Sequence, residues 1–404
     1  MSPEVHPTGS GRRYDAEVRA WARELARGST RTWADHLAAP AGAPAGGPAP
    51  SGPVPGAAQL ELARRLAGRP DVASDPDFAG LVDLVLDTTG PGRGLLDVPL
   101  PWPGGTPGLG TPPVAPEDLP AEELLRVCTG VLARLLAAEP PAPRQGRSSP
   151  WRPWRRGVTL LGAPGTVQLV RSALLANGLR EGGSRTTYLV LGGPVEDLMA
   201  QRWSARVRAG AGIRWQRMWR VAAAHDRLPP GIDMPSLAGQ LADQVGPSRV
   251  HVVLGPDAST ILRLAGEVLG VTVPPTALTD RHDALATDVL RRLNPVLTLA
   301  IGEAARAEVV ATAWPEVAGD EDDGPLAAPA GQLAWAITAG ERMAADLSRG
   351  RYPVHGDPAL VVPTRRPGVR RAPAPDDVLV RALPMVGRAW RLRGRGAATV
   401  KGQD

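Results

Sequence analysis

Lysine is almost missing from this 404-residue chain. Lys401, near the C-terminal end, is the only one, so every other basic side chain is an arginine. GC-rich coding accounts for such a bias, and arginine abundance is therefore poor evidence for nucleic-acid binding. Cysteine is equally scarce. Cys128 stands alone, which excludes a disulfide within the chain and any zinc site built on cysteines. It falls in the helical run Leu124–Leu132 and reads as a small buried hydrophobe. One Phe and three Tyr leave the aromatic content to 11 Trp. Long apolar runs are missing too: the stretch Val158–Val170 is too short for a membrane span and is broken by Gly and Pro. Met1–Arg13 is polar and Pro-rich, unlike a signal peptide, so a reducing cytoplasm is the expected compartment.

What is present suits two ordinary domains with a sizeable core: 43% apolar and 22% charged residues. The 44 Pro and 47 Gly exceed what compact folding needs and belong in linkers. A net charge of +5 allows an anionic partner. Residues 1–13 read as a disordered start. Residues 14–138 read as a helical domain interrupted by the Ala/Gly/Pro/Ser linker at 40–55. Its strongest helix follows Pro116 and runs to Ala138, with Glu122 and Glu123 at the positive end of its dipole. Residues 139–153 form a second linker, 154–362 an α/β domain, and 363–404 a Pro/Arg-rich tail with one short helix at Pro375–Val386.

The α/β domain is organised around residues 158–192. Val158-Thr-Leu-Leu-Gly162 reads as a buried strand, Ala163-Pro-Gly165 as a tight turn, and the following residues as a helix opening at Gly165-Thr166. Arg185–Gly193 reads as a second buried strand. Helices follow at 195–209 and 214–224, then a third strand at Arg249–Leu254 and further helices at 257–268, 283–313 and 331–348. The alternation predicts a mostly parallel sheet flanked by helices. A glycine turn beneath a helix presents backbone N–H groups to an anion, although Thr166 also suits the helix cap.

In the order of its segments, 158–362 resembles the sulfotransferase-like proteins common in actinobacteria, which share the P-loop α/β fold. The resemblance runs through Leu161-Gly-Ala-Pro-Gly-Thr166 and Tyr188–Trp203 to His225-Asp226. It continues through Arg249–Leu254, Leu262–Gly270, Leu290–Asn294 and Tyr352-Pro-Val-His-Gly-Asp357. It implies the sulfate donor PAPS as cofactor, with Gly162, Pro164, Gly165 and Thr166 laid on the loop that holds the 5′-phosphosulfate. Ser204, with Arg202 nearby, falls at the 3′-phosphate serine. The family's loop Lys-Ser/Thr pair has no counterpart here, and Gly193-Pro194 stands where the family's phosphate-binding Arg ends the second strand. Arg171, on the next helix, is the nearest cation that could replace the lysine. Removing such a cation costs a transfer reaction roughly 3–4 kcal/mol. The expectation is therefore a degenerate, non-catalytic relative that binds or scaffolds partners in glycan or polysaccharide modification. An active PAPS-dependent enzyme using Arg and backbone amides is the first alternative.

Other patterns carry less. His225-Asp226, His282-Asp283 and His355-x-Asp357 lack metal-ligand spacing, while His225 is placed to act as a general base toward an acceptor hydroxyl. Trp203, Trp215 and Trp219 interleave with arginines, which suits nucleic-acid stacking but equally a helix with Trp inward and Arg outward. A nucleic-acid-binding module is the second alternative. Asp320-Glu-Asp-Asp323 reads as a solvated acidic run, and the arginines of the tail as a docking segment for anionic partners.

Overall fold

The computed structural model describes residues 9–39, 54–88, 98–103, 112–138, 157–183, 186–274, 283–364 and 368–401. The linker expected at 139–153, most of the one at 40–55, residues 1–8, His282 and Arg365-Arg366 lie outside them. In chain order the first helices are α1 (Gly9–Ala26), α2 (Trp33–Ala38), α3 (Ala57–Ala67), α4 (Pro70–Ala73), α5 (Phe78–Leu86) and α6 (Ala121–Ala137). Next come β1 (Gly157–Gly162), α7 (Pro164–Ala176), β2 (Arg180–Glu181), β3 (Thr187–Gly192), α8 (Val195–Arg208), α9 (Trp215–Ala224) and α10 (Met234–Val245). They are followed by β4 (Val250–Leu254), α11 (Ala258–Leu269), α12 (Ala284–Thr312), α13 (Trp314–Ala318), α14 (Leu333–Ser348), β5 (Val354–His355) and α15 (Pro375–Lys401). The chain divides into two compact units: 143–291 with 320–373, and 1–142 with 292–319 and 374–404.

The first of these is a helix-rich α/β unit around a five-stranded parallel sheet of order β2-β1-β3-β4-β5. β1 pairs with β3 from Val158↔Thr187 to Gly162↔Leu191, and β3 with β4 from Tyr188↔Val250 to Gly192↔Leu254. These three strands are short runs of Val and Leu because helices cover both faces. On one face Val158 and Leu160 of β1, Leu189 and Leu191 of β3, and Val253 of β4 bury against Val170 and Leu174 of α7 and Ile261, Leu262 and Leu269 of α11. On the other, α10 packs across β3 and β4. Gly162 ends β1 at φ +138°, where a Cβ would lie 2.4 Å from the Leu191 carbonyl oxygen, so no side chain fits there. After β1 the chain turns outward to β2, and after β2 it crosses to the other side of β1 to form β3. That reversal places a crevice at the carboxyl ends of β1 and β3, where open α/β sheets bind ligands.

The second unit is helical. Trp21 and Leu25 of α1, Leu60 and Leu66 of α3, Leu81 of α5, and Leu124, Leu125 and Leu132 of α6 form its core. α1 begins at Gly9, not Tyr14, and α15 continues fifteen residues beyond Val386 to Lys401. The expected boundaries at 14–138, 154–362 and 363–404 treat the chain as sequential. In the structure the C-terminal helix joins the N-terminal ones, because its stripe Val378, Leu379, Ala382, Leu383, Val386 and Ala389 is buried and α15 lies along α6. Cys128 of α6 is buried, and burial pushes its thiol up to about 12. Glu61 of α3 is wholly buried and is held by Arg64 at 2.7 Å and Arg65 at 2.8 Å.

Four of the tail arginines donate to backbone carbonyls. Arg388 donates to Val317 and Ala318 at the end of α13, and Arg391 to Asp71, in the helical unit. Arg370 donates to Asp323 and Arg371 to Ala328 in the α/β unit. A guanidinium at a helix C-terminus satisfies carbonyls that have no partner within the helix.

Candidate functional site

The crevice is a real cleft of about 280 Å³. Gly165 and Thr166 at the start of α7 form one wall, and Gly193, Pro194, Asp197 and Gln201 of the β3–α8 segment form another. Gly255–Asp257 after β4, Asp283 and Ala284 at the start of α12, and Gly324–Leu326 close it. Glycine recurs here for packing reasons: a Cβ on Gly193 would lie 2.6 Å from the Gly255 carbonyl oxygen, so the β3 and β4 ends touch backbone to backbone. The 324–328 lip is pinned by two buried carboxylates. Asp323 accepts the Leu285 and Ala286 N–H groups at 2.8 and 3.0 Å, and Glu196 accepts the Ala328 N–H at 2.6 Å. Asp323 thus caps α12. One member of the acidic run is buried, where the sequence suggests a wholly solvated stretch.

At the base of the cleft the β1–α7 turn is as tight as a chain allows, with Ala163 alone between Gly162 and the first helical residue, Pro164. Pro164 has no N–H to offer. The Thr166 N–H, which would face an anion, instead donates to Oε1 of Gln201 at 2.9 Å, and Nε2 of Gln201 donates to the Thr166 hydroxyl at 2.9 Å. The Gln201 amide also lies where a side chain at 165 would point, 3.0 Å from an ideal Cβ. A neutral side chain therefore covers the helix N-terminus. The other polar groups on the walls include Asp197, Asp257 and Asp283, and among the described residues no arginine lines the cleft.

Of the residues singled out in the sequence, Gly165 and Thr166 line this cleft, and Gly162 ends the strand that leads to them. The other three lie apart. Arg171 sits two turns along α7, paired with Glu181 of β2 at 3.1 Å. Ser204 is buried behind the wall and donates to Asp283 at 3.1 Å, with Thr287 3.2 Å away. Arg208 reaches the same carboxylate oxygen at 2.5 Å. An acid thus holds the position at which the resemblance places a phosphate. His225 lines a separate groove with Arg206, Met218 and Leu228. Gln201 carries no sequence signal of its own, and Asp283 stands out in the sequence only as half of a His-Asp pair, which says nothing of this cleft. A glutamine in a helix fits no motif, and its partner lies 35 residues earlier.

Trp203, Trp215 and Trp219 are at most 1% exposed and pack in series with Trp335 through one tilted and two edge-to-face contacts, at centroid distances of 5.7, 5.6 and 6.2 Å. Their faces are turned inward, while Arg206, Arg214, Arg217 and Arg220 remain exposed. Base stacking on these rings would require unpacking the core. Among the described residues no group of three or more His, Cys, Asp or Glu side chains is arranged to hold a metal ion, and no helix is long and apolar enough to cross a membrane. His251 and His355 form a pair at 3.1 Å between β4 and β5, with His251 held below the usual imidazole range by burial first and by His355 second. No family model, curated protein or solved structure matches the chain.

Proposed function

We propose that this chain is a sulfotransferase-like protein on a P-loop-like sheet that binds without catalysing transfer, serving as a partner in glycan or polysaccharide modification. The observation that carries the reading is the Gln201 amide on the α7 N-terminus. A phosphosulfate would have to displace it, and it would then face Asp197, Asp257 and the Arg208-paired Asp283, with no cation on the cleft wall among the described residues. The same walls suit a neutral, hydroxyl-rich ligand. Carboxylates accept hydrogen bonds from hydroxyl groups, and a side-chain amide both donates and accepts, so a saccharide finds partners where an anion is repelled.

Calorimetric titration with 3′-phosphoadenosine-5′-phosphate tests this directly. The expected outcome is no saturable binding at micromolar nucleotide, whereas neutral oligosaccharides titrate the cleft and lose affinity on Gly165→Glu. Micromolar nucleotide binding that Gly165→Glu abolishes, or sulfate transfer from PAPS to a glycan panel, would overturn the proposal. Either result would instead support a PAPS-dependent enzyme.

A further inference from the structure

A second concavity on the α/β unit has the opposite chemistry. It is a groove of about 330 Å³ floored by Ile213, Met218, Val221, Ala222, Leu228, Pro229 and Pro230. Val221 is 44% exposed there, one of few large apolar side chains left open among the described residues. Its rim carries two arginines and a histidine: Arg206 from the end of α8, His225 from the end of α9, and Arg227 just beyond. All three are exposed, and among the described residues no carboxylate or carbonyl engages their side chains.

The one acid in this stretch is already committed. Asp226 accepts both guanidinium nitrogens of Arg342, at 2.7 and 2.6 Å, and the Trp335 indole N–H at 2.8 Å. These partners, Arg342 foremost, hold its carboxyl at about 2. They also fix a backbone conformation that non-glycine residues seldom adopt, φ +43°. Asp226 occupies the left-handed position closing α9, with its N–H on Ala223 and that of Arg227 on Ala222. That turn sets His225 and Arg227 on either side of a residue whose charge is neutralised.

We infer that this groove is a binding site for a small organic anion with an apolar body, of which a medium-chain carboxylate is the simplest. The body would lie on Met218, Val221 and Leu228, and the carboxylate would be held by Arg206 and Arg227 with His225 beside them. A single carboxylate matched by two guanidinium forks uses the geometry in which arginine excels. The cavity is at the small end of the ligand-pocket range, which fits one chain rather than a polymer.

Decanoate, below its micellar concentration, is the probe, titrated into the full chain by calorimetry beside decanol and decyltrimethylammonium. Decanoate is expected to bind saturably, with decanol weaker by about tenfold, the size of two solvent-screened charge contacts. The alkyl cation should not bind at all. The double variant Arg206→Gln/Arg227→Gln should bring decanoate down to the affinity of decanol. Val221→Asp, at an exposed position that leaves folding intact, should abolish both. Equal binding of cation and anion, an unchanged affinity in the double variant, or uptake by anionic vesicles without binding of monomeric decanoate would overturn the inference.

Discussion

Gln201→Ala is the perturbation whose consequences follow most directly from the cleft. Wild-type Gln201 accepts the Thr166 N–H and donates to the Thr166 hydroxyl, both at 2.9 Å. Each such bond contributes about 0.5–1.5 kcal/mol net, and water entering the vacated space recovers part of the loss. The expected cost is therefore about 1–2 kcal/mol. For a unit of this size each kcal/mol lowers Tm by roughly 2–4 °C, so calorimetry should show a fall of about 2–8 °C. The same deletion opens the N-terminus of α7, where the Thr166 N–H and the helix dipole then face solvent. Sulfate should raise the Tm of Gln201→Ala by more than it raises that of the wild type, chloride serving as the control for general salt effects. Gln201→Glu, which keeps an acceptor for the Thr166 N–H, should stay within about 1 kcal/mol of the wild type. If Gln201→Ala is as stable as the wild type and gains no specific response to sulfate, the amide is not what closes this turn to anions, and the reading of the cleft fails.

The remaining expectations concern the scaffold. Gly162→Ala should cost about 2–4 kcal/mol in denaturant unfolding, because its Cβ would meet the Leu191 carbonyl oxygen. Gly178→Ala, at φ +91° with nothing within 4 Å, should cost only about 1 kcal/mol for backbone strain, and equal losses at the two sites would refute the close-approach argument. Glu61→Ala should cost about 2–3 kcal/mol, below the range for a fully buried pair because Arg64 and Arg65 keep 22% and 29% of their side chains exposed to water. The depressed pKa of His251 means that the unfolded chain takes up its proton first. Stability should then fall as pH drops below the ordinary histidine value of 6.5, and His251→Gln should flatten that slope in urea titrations run from pH 7.5 to 5.

Much of the architecture was legible because it rests on local pattern. The Val/Leu runs of β1, β3 and β4, the glycine turn at 162–165, and the apolar stripes of α6 and α11 each show the period of the element they form. Burial of the three tryptophans follows from their shared face on α8 and α9. The short strands β2 and β5 were not legible, since two residues carry no period and each forms only because a paired neighbour offers an edge.

The sequence by itself determined that the chain has one lysine, one cysteine and a strand–turn–helix beginning near Val158, because composition and nearest-neighbour chemistry need no distant partner. Only the tertiary structure decided what faces that turn. Gln201, Asp257 and Asp283 are brought to it by the crossing of β3, the end of β4 and the start of α12, and Arg171 and Ser204 are committed elsewhere. The physical reason is that the chemistry of a site is the sum of the groups converging on it. Convergence across 35 or more residues is set by how helices pack on the sheet, not by spacing along the chain.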